Sequence, residues 1–296
     1  MRQVFLYNFT VNKKYYILNT AQNTQFFSLA YQFVLPYERL CCALMQKILN
    51  KDSNVNLVME NDLHGAVALK VVGVFYYTKG NLVLSCLPYQ SREVFNVLRS
   101  FFLKNRVFCI SSFTAYTEFL IKVLDSVGTQ CVNEVRNYYL MEFNTGSLCK
   151  NTYGYTLRQC SKKDVDELLP MQVSYVTEEV LLKGTQAVPR AERLSLEKSV
   201  KAQNIFCLCQ NNKIVSKVHI SALTEHYAQL GGVYTLKSFR QRGLASCLVN
   251  NVSSQLWING KKAVLFVNVK NTPAIHSYLN AGFNSFGEYK IAYYNI

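Results

Sequence analysis

The chain has 296 residues, of which 50% are hydrophobic and 17% are charged, and its formal net charge is +14. This composition is that of a folded protein with a sizeable core, and it excludes an intrinsically disordered chain. Because lysine and arginine are spread over both halves, the excess charge favours anionic ligands in general and argues against a dedicated nucleic-acid-binding arm.

The ten cysteines include no CxxC pair, and their spacing does not supply the ligands of a zinc site. We interpret them as reduced, mostly buried thiols of a cytoplasmic protein, and we expect no bound metal. The longest apolar stretch, residues 66–77, is interrupted by Lys70 and is shorter than the roughly 20 residues that cross a bilayer. The N-terminus has too short an apolar run for a secretory signal. We therefore expect no association with a membrane.

The first half of the chain alternates between strand and helix patterns. It predicts strand, strand, helix, strand, helix and strand at residues 71–78, 82–88, 91–105, 106–112, 114–128 and 135–143. The segment 144–154 is rich in Asn, Gly, Ser and Thr, which is typical of a linker. We place a domain boundary there and expect two domains, residues 1–150 and residues 151–296.

The second half repeats this order of elements. It predicts a strand at 205–210, then strand, strand, helix, strand, helix and strand at 214–223, 228–236, 244–258, 263–269, 271–282 and 289–296. Residue identity between the halves is negligible, so element order alone favours an α/β fold made of two similar halves. Gly231 and Gly232 interrupt one strand, which indicates a bulge or a close approach of backbone.

The turn FRQRGLAS, residues 239–246, joins that strand to the following helix. The free N–H groups of a helix N-terminus bind phosphate when the side chains around them are small. Gly243 and Ala245 are small, Leu244 between them can face the core, and Arg240 and Arg242 add charged donors. These residues predict a phosphate site, although an ordinary basic turn has the same composition.

The wider context of this turn resembles the GNAT superfamily of acetyl-CoA-dependent N-acetyltransferases. The family signature, Arg/Gln-x-x-Gly-x-Gly/Ala, is matched by Arg240, Gln241, Arg242, Gly243, Leu244 and Ala245. The family also tends to carry a second block, matched by Asn271, Ala274, Tyr278, Gly282 and Phe283. The resemblance covers residues 153–296. Ala245 replaces the commoner second glycine, and Lys237 stands where many members have proline.

The resemblance implies an acyl-CoA N-acyltransferase fold, a mixed-sheet α+β arrangement, with two GNAT-like halves in tandem. It implies that acetyl-CoA is a co-substrate and that an amine is the acceptor. The backbone of Val233, Tyr234 and Thr235 would pair with pantetheine, and a backbone N–H near Val233 would polarise the thioester carbonyl. The N–H groups from Arg240 to Ala245 would hold the pyrophosphate, and Asn271 would cap its helix and approach the same ligand.

Tyr278 lies where the family places a general acid, which would protonate the departing CoA thiolate. The sequence indicates a general base less clearly. Glu225, just before the central strand, is our first choice, and His226 and His219 are alternatives. Glu178 and Glu179 lie in the segment that forms the family's acceptor-site wall, where either could bind a cationic amine or remain a solvated charge.

The turn that corresponds to 239–246 in the first half has no glycine and carries Pro88 and Tyr89. The first half is therefore expected to be a degenerate or accessory domain that does not bind CoA in the same way. The sequence also allows two other classes of function. A GNAT-like module that binds CoA or a partner without turnover remains the alternative. No specific nucleic acid is expected, because no basic and aromatic RNA-binding motif is present.

Overall fold

The computed structural model describes residues 15–61, 69–78, 82–144 and 154–295. Contacts between residues divide the chain into two compact units. The predicted linker, 144–154, falls mainly on residues outside this description, so the boundary between residues 1–150 and 151–296 stays a prediction.

The first unit comprises residues 1–137 and 288–296. Its elements, in chain order, are β1 (Tyr15–Asn19), α1 (Gln25–Val34), α2 (Cys42–Leu49), β2 (Val55–Asn61), β3 (Leu69–Tyr77), β4 (Leu82–Cys86), α3 (Arg92–Phe102), β5 (Cys109–Phe113), α4 (Thr114–Val127) and β6 (Val132–Phe143). The strands β1 to β5 are neighbours in that order. Their pairings are antiparallel except between β4 and β5, which helix α3 connects in parallel.

The second unit comprises residues 138–287. Its elements are β7 (Thr156–Gln159), α5 (Val165–Tyr175), α6 (Pro189–Lys201), β8 (Ile205–Gln210), β9 (Lys213–Leu223), β10 (Tyr227–Thr235), α7 (Leu244–Ile258), β11 (Lys262–Asn268), α8 (Thr272–Asn280) and β12 (Phe283–Tyr294). The strands β7 to β11 are also neighbours in sequence order. Only β10 and β11 are parallel. The same order of elements and the same pairings therefore occur twice. The sequence predicted the order of the last six elements of each half.

The last strand of each half pairs in the other unit. Strand β6 lies antiparallel to β11, and β12 lies antiparallel to β5. Each of these two strands accordingly contributes residues to both units. Without a further neighbour, the edge of β5 that faces away from β4 would present unpaired N–H and C=O groups. Strand β12 pairs with that edge and satisfies them.

Helices cover both faces of the sheet in the second unit. Leu208 belongs to the apolar cluster that packs against α7, whereas its neighbours Cys207 and Cys209 belong to the cluster that packs against α5 and α6. This alternation follows the two-residue period of a strand. The nine described cysteines are free thiols, and most of them are buried. None of the described helices combines the length and the apolar character needed to span a bilayer.

A bidentate ion pair fixes the start of α5. Arg158 on β7 donates from its two terminal nitrogens to the Asp164 carboxylate at 2.8 and 2.7 Å, and Ser161 donates its backbone N–H at 2.6 Å. The hydrogen bonds from Arg158 lower the pKa of Asp164 to about 2, against a smaller opposing effect of burial.

Replacing Asp164 with asparagine is expected to destabilise the protein by about 1–2 kcal/mol at pH 7, because the half-exposed guanidinium of Arg158 loses its ionised partner. A carboxylate whose pKa is lower in the folded than in the unfolded protein stabilises the fold fully at pH values above the unfolded pKa. This contribution is lost as the pH falls to the folded pKa. The difference between Asp164→Asn and wild type should therefore disappear between pH 4 and pH 2 in urea unfolding. Asp166→Asn is the matched control, since Asp166 pairs with Arg193 but its side chain is 83% exposed; a loss as large as that of Asp164→Asn would contradict the argument.

Candidate active site at the divergence of β10 and β11

Strand β10 leaves its parallel neighbour β11 halfway along its length. The two strands pair over residues 227–230 of β10, which then continues to Thr235. On its other side, the register with β9 shifts between Gly231 and Tyr234, and Gly232 has a φ of 57°. The predicted bulge is therefore present. A bulge of this kind takes a strand edge out of its ladder and leaves its amides available to an extended ligand.

The turn after β10 exposes a row of backbone N–H groups at the start of α7. Gln241 and Gly243 are in left-handed conformations, with φ of 63° and 71°. The backbone N–H of Arg240 donates to the Lys237 carbonyl oxygen, and that of Cys247 donates to the Gly243 carbonyl oxygen. In the described part of the chain, no hydrogen bond engages the N–H groups of residues 241–246. These N–H groups lie at the positive end of a 15-residue helix.

The small residue at this turn keeps the N–H groups accessible. A Cβ placed on Gly243 would meet no atom within 4 Å, so the space in front of the helix is open. Leu244 is buried in the core, as its position in the motif predicted. Ala245 lies between exposed and buried. This combination of an anchored leucine and an open approach is what an anion such as a diphosphate requires.

The two arginines of the motif make contacts within the protein. Arg240 donates to the Thr235 carbonyl oxygen at 3.1 Å and to Glu178 Oε2 at 2.8 Å, and it lies over the ring of Tyr234. Arg242 donates to the Ser238 carbonyl oxygen at 3.1 Å. Arg240 thus holds the end of β10 and the turn together, with its side chain still 42% exposed.

Two adjacent glutamates connect the segment after α5 to this site. Glu178 accepts from Arg240 Nη2 at 2.8 Å and from the Tyr234 hydroxyl at 3.1 Å. Burial acts to raise its pKa, but these hydrogen bonds and the charges of Arg240 and Lys237 together lower it. Glu179 accepts from Asn271 Nδ2 at 2.9 Å. Both carboxylates therefore accept hydrogen bonds from other side chains of the protein. The sequence had left open that they were two solvated charges.

Asn271 is the N-cap of α8, as expected. Its Oδ1 accepts from the backbone N–H of Ala274 at 3.1 Å, which satisfies one free donor of the first turn. Its Nδ2 bonds to Glu179, so the side chain links the start of α8 to the segment after α5. Whether it also approaches a ligand stays a prediction.

Tyr278 on α8 is half-buried and packs against Phe283, with 6.3 Å between ring centroids. Burial raises the pKa of its phenol well above the usual value, and the neighbouring Tyr175 and Glu179 raise it further. The side chains of Tyr175, Glu179 and Tyr278 therefore lie near one another. A phenol with this pKa stays protonated at neutral pH, as a general acid must.

The structure does not bring Glu225 together with these groups. Glu225 is exposed on the turn between β9 and β10, whereas the bulge and the phosphate turn lie at the other end of β10. Eight residues separate it from Val233, which is roughly 26 Å of extended strand. His226 shares this turn, and His276 is exposed on α8. The role of Glu225 as a base stays a prediction.

His219 and Lys217 on β9 do lie at the bulge. A Cβ on Gly232 would be 3.5 Å from His219 Cβ and from Lys217 Nζ. Burial, and then the charge of Lys217, lower the pKa of His219 to about 4. Sequence reasoning missed Lys217, although a lysine inside the apolar strand IVSKVHI was a visible signal.

The equivalent turn of the first unit, between β4 and α3, is capped by a side chain. Ser91 caps α3, and its hydroxyl accepts from the Val94 N–H at 3.3 Å. Pro88 and Tyr89 precede it, and no glycine opens the approach. A side chain therefore occupies one of the first N–H groups of α3, whereas no side chain among the described residues caps α7.

Comparisons with known proteins concern the part of the chain that holds this site and the fold of the whole. The family model described as FR47-like protein matches residues 211–291, which include the bulge, the turn and both α7 and α8. No curated protein matches the sequence.

Several solved structures share the fold at low sequence identity. A Drosophila protein has a TM-score of 0.60 at 11% identity and covers 95% of this chain and 99% of its own. A tandem GNAT protein from the clavulanic acid biosynthesis pathway has a TM-score of 0.58 at 11% identity, covering 94% and 97%. A GNAT-family acetyltransferase from Colwellia psychrerythraea has a TM-score of 0.54 at 14% identity, covering 81% and 86%.

Proposed function

This chain has the GNAT fold in two tandem halves, and on that premise we propose that it is an acetyl-CoA-dependent N-acetyltransferase acting on a primary amine. The observation that carries the proposal is the open turn at Gly243, whose free N–H groups lie where β10 leaves β11. A diphosphate at the turn and an amide-bearing arm along the strand edge match the two parts of CoA. The catalytic site is then in the second unit, because the corresponding turn of the first unit, between β4 and α3, has no glycine and is capped by Ser91.

Acetyl-CoA would bind with its diphosphate on the N–H groups between Arg240 and Ala245. Its pantetheine arm would extend along the free edge of β10, against the backbone of Val233, Tyr234 and Thr235. The thioester carbonyl then reaches the bulge, where the Val233 N–H stabilises the negative charge that develops on its oxygen. Asn271, at the start of α8, lines the opposite side of the gap.

The reaction is a direct transfer in a ternary complex. The neutral amine attacks the thioester carbonyl, and a C–N bond forms as the carbonyl becomes tetrahedral. Collapse breaks the C–S bond, Tyr278 gives its phenolic proton to the CoA thiolate, and the amide product loses its extra proton to a base. The proton that the base accepted passes through solvent back to Tyr278, so both groups are restored and the net products are an N-acetyl amine and free CoA.

The carboxylate near Tyr278 is Glu179, and we propose that it receives the amine proton, directly or through water. Glu179 accepts from Asn271 at the start of α8, the helix that carries Tyr278, and its charge helps to raise the pKa of the phenol, whereas Glu225 lies at the far end of β10. The buried free thiols described above fit a reducing compartment, so we place the reaction in the cytoplasm.

Binding and turnover are tested separately. Calorimetric titration with acetyl-CoA should give saturable heat, and the ligand should raise the unfolding temperature. A screen of amines that monitors free thiol then identifies the acceptor. Binding without thiol release from any amine would favour the non-catalytic module, and no heat with acetyl-CoA would overturn the proposal.

Paired glutamine variants test the base. Glu179→Gln should lower kcat/KM by roughly tenfold or more, because the amine proton loses its acceptor. Glu225→Gln is the matched control, since it removes the same charge from an exposed turn, and it should stay within about twofold of wild type. The reverse order of effects would assign the base to Glu225. Acetyl-CoA affinity, measured in parallel, should be unchanged in both variants.

A further inference from the structure

Lys217 is a charged residue in the middle of an apolar strand, and only 1% of its surface is exposed. Burying an ammonium group is costly unless hydrogen bonds replace its water. Lys217 Nζ donates to Gln172 Oε1 at 2.9 Å and to the Gly232 carbonyl oxygen at 2.9 Å. Burial lowers its pKa to about 8, and both the charged and the neutral amine have enough N–H groups for these two bonds.

The position of Nζ is fixed from the helical side of the sheet. Gln172 on α5, which accepts one of the two bonds, donates its own Nε2 to Glu192 Oε2 on α6 at 2.9 Å. The Tyr175 ring lies on another side of Nζ, with its centroid 5.1 Å away. A chain of hydrogen bonds therefore runs from α6 through α5 and β9 to one carbonyl of the bulge in β10.

That carbonyl controls the direction of the next amide. In a planar trans peptide the C=O and the following N–H point in opposite directions. With the Gly232 oxygen directed at Lys217, the Val233 N–H points away from the buried network. Because Gly232 is left-handed and has no side chain, this peptide would rotate more easily than its neighbours without a partner for its oxygen.

We propose that Lys217 is a positioning residue that holds the Gly232–Val233 peptide with its N–H directed at the thioester carbonyl of the acyl donor. Lys217 does not touch the reacting atoms and acts through the bulge. This inference rests on the proposed function, because it assigns the lysine a role in recognising the acyl group of the donor.

The test compares two ligands that differ at the carbonyl. Acetyl-CoA has a thioester carbonyl group, and S-ethyl-CoA has a methylene group in place of that carbonyl. Wild type should bind acetyl-CoA about tenfold more tightly than S-ethyl-CoA, because only acetyl-CoA can accept the hydrogen bond from the Val233 N–H. In Lys217→Met this ratio should fall to about one, while affinity for S-ethyl-CoA changes by less than about threefold.

Ser216→Ala is the control, because it removes a buried hydroxyl that bonds to the Thr235 hydroxyl at 2.8 Å on the same strands and does not touch Gly232. It should keep the wild-type ratio. If Lys217→Met does not fold, Gln172→Met removes the anchor of Nζ and should lower the ratio about threefold. An unchanged ratio in the folded variant overturns the inference, whereas a wild type that binds neither ligand contradicts the proposed function itself.

Discussion

Gly243→Glu is expected to abolish acetyl-CoA binding, with an affinity loss of roughly 100-fold or more, equivalent to about 2.7 kcal/mol. The glutamate side chain enters the open space in front of the α7 N-terminus, where a Cβ alone meets no atom within 4 Å. It places bulk in the path of the diphosphate. Its carboxylate also occupies the free N–H groups of residues 241–246 and repels the ligand's charge. Calorimetric titration measures the loss directly.

The other end of the same helix provides the control. Gly260, just past the C-terminus of α7, is also left-handed, with φ 75° against 71° at Gly243, and a Cβ there would also meet no atom within 4 Å. Gly243→Glu and Gly260→Glu therefore carry the same charge and a similar backbone strain of about 1–2 kcal/mol. Both substitutions should lower the unfolding temperature, and Gly260→Glu should lower it more, since its carboxylate lies at the negative end of α7 and that of Gly243→Glu at the positive end. Only Gly243→Glu should lose binding. Equal affinities in the two variants would show that the diphosphate lies elsewhere.

Local patterns predicted the elements that build the candidate site. The helix predicted at 244–258 has these bounds in the structure, because its apolar residues recur at helical spacing between Gly243 and a glycine at 260. The hairpin of β3 and β4 and the helix α3 were also predicted. Periodicity and turn residues decide such segments, since both act within a few residues of chain.

Elements with weaker patterns were missed. Helix α5 contains Pro170, which removes one backbone donor and disrupts the helical pattern, and α6 is largely charged on its outer face. Strand β7 has four residues, too few for an alternation to be recognised. These elements depend on packing against the sheet, which is a property of the folded unit and not of the segment.

The exchange of β6 and β12 could not have been predicted from the sequence. Each strand has the alternation of an ordinary last strand, and nothing local to β6 distinguishes pairing with β5 from pairing with β11. The choice depends on contacts between residues more than a hundred positions apart, such as Tyr138 with Asn268 and Tyr289 with Phe113.

The candidate site was predictable to the extent that backbone carries it. The turn motif located the free amides, because small residues and a helix start are visible in sequence. The positions of charged side chains were harder to predict. The direction of β10 decides which end of the strand Glu225 lies at, and the bulge in β10 decides what Lys217 contacts. Glu225 and Val233 are only eight residues apart in sequence. Because the strand between them is extended, they lie at opposite ends of β10.

Tyr278→Phe is expected to lower kcat by about 100-fold or more, because the CoA thiolate must then leave without a proton donor. The substitution keeps the ring that packs on Phe283, so affinity for acetyl-CoA should change by less than about twofold. Tyr289→Phe is the control. Tyr289 is another tyrosine whose pKa burial raises, but its hydroxyl bonds to Ser111 in the first unit. Loss of turnover in both variants would point to folding instead of catalysis.

The pH dependence separates a general acid from a phenol that only packs. Burial and the neighbouring Tyr175 and Glu179 raise the pKa of Tyr278 above the ordinary value of 10. The acid form is therefore complete throughout the neutral range, and kcat should rise with pH as the amine loses its proton, without a falling limb below pH 10. A falling limb near neutral pH that persists in Tyr278→Phe would belong to another group. An unchanged kcat in Tyr278→Phe would remove the phenol from the mechanism, since its proton would then have no measurable role in thiolate departure.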